Sequence, residues 1–153
     1  MDFFDSIRQG ALEEIKQKIA ADPALLTARD TRGFPALVLA SYTGQYEITQ
    51  HLVKAGADVN MQDAAGNTAL MGVCFKGYPE IAKLLLEHGA DTNKQNTQGA
   101  TALIYAVTFG QTEIAELLLE HDADKTLKDQ SGNTAIDYAR KQGTADLNQL
   151  LAG

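Results

Sequence analysis

The chain has 153 residues, and its 13 Lys and Arg against 20 Asp and Glu give a formal net charge of −7. This length suits one domain or one short array of repeats, and it can bury a core without disulfides or a structural metal. The acidic balance excludes a general binder of nucleic-acid backbones, which needs a basic surface. The single cysteine, Cys74, excludes an internal disulfide and a cysteine-rich zinc site. The apolar runs are too short to span a membrane, and no signal peptide is expected at the N-terminus.

The sequence repeats itself with a period of 33 residues. Glycines recur at this spacing in two ladders, and apolar residues follow the same period. The ladders are Gly33, Gly66, Gly99 and Gly132, and Gly44, Gly77, Gly110 and Gly143. A period of this size is typical of a solenoid, in which each unit buries its apolar face against its neighbours.

Three segments of the repeat carry a family resemblance. Residues 67–70 (Asn-Thr-Ala-Leu) and 100–103 (Ala-Thr-Ala-Leu) are similar to a Thr-Pro-Leu-His box, and residues 84–91 are similar to the end of a second helix. On these residues the chain resembles the ankyrin-repeat family, whose unit is a turn followed by two helices. The resemblance covers about residues 30–153, with residues 1–29 as a degenerate first repeat. The box histidine is absent, because its positions hold Val38, Met71, Ile104 and Asp137.

In chain order, the first predicted element is a pair of helices within residues 2–22, with Phe3, Phe4, Ile7, Leu12, Ile15 and Ile19 facing inward. We interpret residues 1–153 as one all-α domain, an ankyrin-repeat solenoid of about four repeats plus this N-terminal helical pair. The units are an N-terminal capping repeat at 1–29, full repeats at 30–62, 63–95 and 96–128, and a C-terminal capping repeat at 129–153. Both ends have the polar character of caps, so we expect a complete array.

Each full repeat predicts the same succession of elements. In residues 63–95, a turn precedes a short first helix over 69–76, which Gly77 ends in a left-handed conformation. A second helix follows over 79–88, and Gly89 ends it. Glycine suits both ends because it lacks a β-carbon and adopts positive φ without a steric penalty.

The helix ends show two departures from this pattern. Thr68, Thr101 and Thr134 stand where a hydroxyl caps the first helix, but Pro35 takes that position in the first full repeat. Asp122 replaces the glycine that ends the second helix elsewhere. We therefore expect a left-handed backbone at Asp122, which costs about 1 kcal/mol for a residue with a β-carbon.

The sequence offers little that resembles an active site, and it lacks metalloprotease, phosphate-loop and hydrolase-elbow motifs. His88 and His121 occupy equivalent places one repeat apart, which favours solvated helix ends over a shared metal site. Cys74 stands where neighbouring repeats have Ser41 and Val107, which favours inert packing. We expect no enzyme, no cofactor and no metal.

Positions that vary between repeats predict the surface for a partner. Along the first helices these positions form a stripe at helical spacing, and the resemblance implies that this stripe and the turn tips contact the partner. Gly72 leaves a gap that predicts the floor of a pocket, and aromatic residues on the stripe are typical of interface hot spots. The predicted protein-binding residues are Arg32, Phe34, Leu39, Tyr42, Thr43, Gly72, Phe75, Lys76, Tyr105, Thr108, Phe109 and Tyr138. Lys141 and Gln142 continue the stripe, and the further turn tips are Asn67, Gln98 and Asn133.

The resemblance implies a non-catalytic protein-binding module that captures another protein on its concave face and turn tips. We expect a monomer in the cytoplasm, with no nucleic-acid or membrane partner. Another interpretation has the rings of the stripe packed sideways between repeats with only their edges exposed. Two functional alternatives also stay open, a self-associating structural or regulatory subunit and a small redox protein that uses Cys74.

Overall fold

The computed structural model describes residues 1–142 and 144–152, and these form ten α-helices and one short 3-10 helix, Pro23–Thr27. Gly143, the last glycine of the second ladder, lies outside the described residues. The helices are α1 (Phe3–Arg8), α2 (Leu12–Ala21), α3 (Ala36–Tyr42), α4 (Tyr46–Lys54), α5 (Ala69–Lys76), α6 (Pro79–Glu87), α7 (Ala102–Thr108), α8 (Thr112–Glu120), α9 (Ala135–Gln142) and α10 (Ala145–Ala152).

The helices stack in two layers. The first helices α1, α3, α5, α7 and α9 contact one another in that order, and the second helices α2, α4, α6, α8 and α10 form the other layer. Within each repeat the two helices contact each other, as α5 contacts α6. The predicted all-α helical solenoid is confirmed.

The ends of α5 and α6 follow from the residues that stand there. The Thr68 hydroxyl accepts a hydrogen bond from the Met71 N–H at 3.3 Å and so caps α5. Gly77 ends α5 with a φ of 85°, in the predicted left-handed conformation. The second helix ends one residue before the predicted bound, at Glu87, because the backbone of His88 has already left helical geometry.

The two departures at helix ends also appear in the structure. The Thr101 and Thr134 hydroxyls cap α7 and α9 by accepting N–H groups at 3.2 Å. Pro35 precedes α3 and provides no side-chain cap. Among the described residues other than glycine, only Asp122 has a positive φ, of 64°. The predictions for Pro35 and Asp122 are confirmed.

The core lies between the two layers and continues through the N-terminal pair. Phe3, Ile7, Ile15 and Ile19 are buried as predicted, whereas Phe4 and Leu12 are partly buried against the core. Fully buried leucines and isoleucines recur through the repeats at Leu52, Leu85, Ile114, Leu118 and Leu147. Because each repeat buries these residues against the next, the array is held by contacts between neighbours.

Hydrogen bonds also join the turns that connect the repeats. The Thr97 N–H donates to the Ala65 carbonyl at 3.0 Å, and the Gln130 N–H donates to the Gln98 carbonyl at 2.9 Å. The Gln62 side chain donates to the carbonyl of Gly66 at 2.7 Å, four residues along, and to that of Gln95 at 3.3 Å, 33 residues along. The backbone and a glutamine side chain therefore link successive turns.

Candidate functional site

Four rings on the first helices or directly after them form a continuous cluster, which we call the aromatic row (Tyr42, Phe75, Tyr105 and Phe109). Tyr42 stacks on Phe75 with ring centroids 6.1 Å apart, and Phe75 meets Phe109 edge to face at 4.7 Å. Phe109 also stacks on Tyr105 at 6.2 Å. Tyr42, Phe75 and Phe109 are nevertheless 40%, 41% and 45% exposed. The rings thus pack sideways between repeats and still present apolar surface to solvent.

A groove of about 690 Å³ lies beside this row, at the position where Gly72 predicts a pocket. Gly72 and Tyr42 both line it, and a β-carbon at Gly72 would lie only 3.3 Å from Cδ1 of Tyr42. Arg32 and Phe34 reach the same groove from the neighbouring turn. The groove therefore joins the first-helix stripe to a turn tip.

The expected exposure of Leu39 is wrong, because Leu39 is only 8% exposed and belongs to the core cluster. Its equivalents, Tyr105 and Tyr138, remain partly exposed because their longer side chains extend farther from the helix. Leu39 still lines the groove, so its contribution is an apolar wall.

The remaining stripe residues fall into two groups. Thr43 and Lys76 are exposed, and the Lys76 ammonium lies 5.2 Å from the centroid of the Tyr42 ring. Thr108 is partly buried, and its carbonyl accepts a hydrogen bond from the Gln142 side chain. The Lys141 ammonium lies 5.4 Å from the centroid of the Tyr138 ring. The stripe thus carries cations beside its rings.

The turns bind the hydroxyls of two of the three tyrosines on the stripe. The Asn96 side-chain amide donates to the Tyr105 hydroxyl at 2.9 Å, and the Tyr138 hydroxyl donates to Oδ2 of Asp129. This hydrogen bond raises the pKa of Tyr138 above its ordinary value. Burial alone would raise the pKa of Asp129, but hydrogen bonds from Tyr138 and from two backbone N–H groups outweigh it and lower that pKa. The sequence analysis did not predict these two hydrogen bonds, although both pairs, Asn96–Tyr105 and Asp129–Tyr138, are nine residues apart in the sequence.

Two of the three further turn tips make hydrogen bonds that hold the turns together. The Asn67 N–H donates to Oδ1 of Asp63 at 2.8 Å, and the Asn67 side chain accepts from Asn96 at 2.9 Å. Asn133 makes the same backbone bond to its own turn, whereas Gln98 is exposed. Of these three tips, Gln98 has its side chain in solvent.

Cys74 is fully buried, and burial raises the pKa of its thiol far above the ordinary value. A buried neutral thiol lacks the access and the thiolate character that reactivity needs. His88 and His121 are exposed, and each places Nδ1 2.9 Å from a carbonyl oxygen of its own helix. Within residues 1–142 and 144–152, no three His, Cys, Asp or Glu side chains are grouped to hold a metal ion. None of the helices in this part of the chain combines the length and apolar character needed to cross a membrane.

Comparison with known proteins adds one family. A family model described as ankyrin repeats matches the chain in three overlapping copies, over residues 7–96, 37–129 and 70–153. These matches include the N-terminal helical pair from Ile7 onward and both helices of the last repeat. A comparison with curated proteins finds no match.

Proposed function

The chain belongs to the ankyrin-repeat family, whose members generally act as protein–protein interaction modules, and on that premise we propose that it binds another protein without catalysing a reaction. The partner lies on the concave face formed by the first-helix stripe and on the neighbouring turn tips. The observation that carries this proposal is the aromatic row, in which three rings are each about two-fifths exposed. Contiguous exposed apolar surface of this kind usually marks an interaction site, and aromatic side chains dominate hot spots.

The mechanism is rigid capture by a surface that exists before the partner arrives. The rings of the row already pack on one another, and the groove already lies between the turn of Arg32 and Phe34 and the turn of Asp63. Binding therefore orders few side chains, which reduces the entropic cost of association.

We propose a cytoplasmic monomer that uses neither a cofactor nor a metal. The buried Cys74 suits a reducing compartment, where a single thiol stays free. The net charge of −7 argues against a nucleic-acid partner. The burial of Cys74 also removes support from the redox alternative.

The proposal is tested by affinity capture from a lysate of the source cell. The baits are the intact chain and a Tyr42/Phe75/Phe109→Ala variant whose circular dichroism shows that it is folded. We expect one protein to bind the intact chain and to be lost from the variant, because the variant removes the apolar anchors.

The matched control is Lys83/Glu116/Gln149→Ala, which truncates three exposed residues on the second helices and should retain the partner. Equal capture by the intact chain and by the aromatic variant would contradict the site. Light scattering of the intact chain measures its molar mass and so distinguishes a monomer from the self-associating alternative. A dimer that becomes a monomer in the aromatic variant would show that the row binds a second copy.

A further inference from the structure

Four equivalent turns begin with a side chain that folds back on its own backbone. In the turn at Asp63, Oδ1 accepts the N–H groups of Ala65 at 2.9 Å and Asn67 at 2.8 Å. The same pair of hydrogen bonds is made by Asp30, Asn96 and Asp129. One atom of each side chain therefore holds the turn, and the other atom is left to bind something else.

In the last two turns this second atom binds a tyrosine nine residues along the chain. Nδ2 of Asn96 donates to the Tyr105 hydroxyl at 2.9 Å. Oδ2 of Asp129 accepts the hydroxyl of Tyr138. Both rings rise from the first helix of their own repeat and reach the turn. The repeat thus contains a place for a phenol ring between its first helix and its turn.

In the repeat that begins at Asp63, the position of this tyrosine is Gly72. In the preceding repeat, the second oxygen of Asp30 has a partner from the N-terminal helical pair, because Oδ2 accepts a hydrogen bond from Nη2 of Arg8 at 2.8 Å. For the Asp63 side chain, by contrast, the hydrogen bonds within the described chain all end on Oδ1. Asp63 and Gly72 both line the groove of about 690 Å³. We call the space between them the Gly72 notch.

We propose that the Gly72 notch takes a tyrosine side chain of the partner protein, whose hydroxyl donates to Asp63. The inference rests on the proposed function, because it names what the bound protein presents to this groove. The ring occupies the space that the chain's own tyrosines fill in the next two repeats. An ionised carboxylate only accepts hydrogen bonds, so a phenylalanine would leave Oδ2 of Asp63 without a donor in an apolar groove.

The charges around the notch favour a neutral donor over an arginine. Arg32 lines the groove, and the Lys76 ammonium already lies over the Tyr42 ring. A further cation would be repelled by both, whereas a phenol satisfies Asp63 without adding charge. An arginine of the partner is therefore the competing occupant, and the test includes it.

The first experiment titrates the intact isotope-labelled chain with p-cresol, the tyrosine side chain as a free molecule, and follows backbone amide shifts. We expect the shifts to cluster at residues 63–67 and at Gly72. The control ligand is 4-methylanisole, which has the same ring but no donor, and it should bind about tenfold more weakly because it cannot donate to a charged acceptor. Asp63→Asn should keep the turn intact, because Asn96 holds its own turn in the same way. It should reduce the ratio of the affinity for p-cresol to that for 4-methylanisole.

Three results of the titration would overturn the proposal. They are equal affinity for p-cresol and 4-methylanisole, shifts that cluster away from the Gly72 notch, and tighter binding of n-propylguanidine, the arginine probe. Because the titration uses no partner protein, its failure leaves the proposed function standing. Success of the titration without capture of any partner would support the notch and count against the function.

The second experiment fills the notch from within, by comparing Gly72→Tyr with Gly72→Phe. Tyrosine and phenylalanine have similar helix propensities, so the comparison isolates the hydroxyl. We expect the Tyr variant to melt a few degrees above the Phe variant, about 2–4 °C for a chain of this size, and to lose p-cresol binding. Equal melting temperatures with retained p-cresol binding would overturn the proposal.

Discussion

The turn of the repeat at 63–95 and the turn of the last repeat have the same backbone and different surroundings. Gly66 and Gly132 share a φ of 80°, and a threonine caps the helix that follows each turn. The next turn packs against Gly66, whereas a β-carbon at Gly132 would have nothing within 4 Å. On the other side, Tyr138 fills the space that Gly72 leaves open.

The comparison of the two turns distinguishes residues that build the repeat from residues that shape its surface. Recurring positions build the unit: the turn glycine is present in all four turns, and a threonine caps the first helix in the last three repeats. Positions that vary, such as Gly72 and Tyr138, decide whether the surface beside the turn is a groove or a filled site. The groove and the filled sites thus arise at the positions that differ between repeats, beside turns whose glycines are the same.

The largest expected effect comes from adding a β-carbon at Gly66. In Gly66→Ala this atom would lie 2.9 Å from the Thr97 nitrogen, which belongs to the packed backbone of the next turn. Strain at positive φ and overpacking together should lower the free energy of unfolding by about 3 kcal/mol. Gly132→Ala has the same φ and open space, so it should cost only about 1–2 kcal/mol.

Urea denaturation of both alanine variants measures this difference. Equal losses would show that the packing of one turn on the next contributes nothing at Gly66. The comparison between an interior and a terminal turn would then fail.

A smaller effect is expected at the end of α8, just before the last repeat. Asp122 has a φ of 64°, where α6 has Gly89 with a φ of 89°. Asp122→Gly removes the steric penalty of the left-handed region and should raise the free energy of unfolding by about 1 kcal/mol. Thermal denaturation at neutral pH is the measurement, and a lower melting temperature in the variant would contradict the strain at this position.

The smallest expected effect is a pH dependence of stability that distinguishes Tyr138, bonded to a carboxylate, from Tyr105, bonded to an amide. In Tyr138→Phe, Asp129 loses one of the hydrogen bonds that lower its pKa from the ordinary aspartate value. A group whose pKa is lowered by folding stabilises the protein above its unfolded pKa and loses that contribution as the pH falls through the folded value. The melting temperatures of the native chain and of Tyr138→Phe should therefore differ most above the ordinary pKa of an unfolded aspartate, about 4, and converge as the pH falls below it.

Tyr105→Phe is the control for this prediction, because Tyr105 is bonded to the neutral amide of Asn96. The difference in melting temperature between Tyr105→Phe and the native chain should stay constant through the same pH range. Convergence in both variants would assign the effect to general acid unfolding and not to Asp129.

Much of the fold could be predicted because its signals are local and repeated. The threonine caps, the left-handed Gly77 and the strained Asp122 each depend on residues within one turn of helix, and the structure confirms them. The end of α6 differed by one residue, because nothing in the sequence distinguishes His88 from a last helical residue. Some of the site was predictable in the same way, since Gly72 breaks a pattern that its neighbours keep.

The sequence by itself determined the period of 33 residues, the alternation of turns and helices and the residues that vary between repeats, because each of these is set within a single unit. The tertiary structure alone decided that Leu39 is buried, that the aromatic row packs edge to face and stays exposed, and that Asp63 keeps one oxygen open beside Gly72. The first two features depend on contacts between side chains of adjacent repeats, about 33 residues apart, where packing and not local preference sets the geometry. The third depends on how the turn of Asp63 meets the first helix of its own repeat.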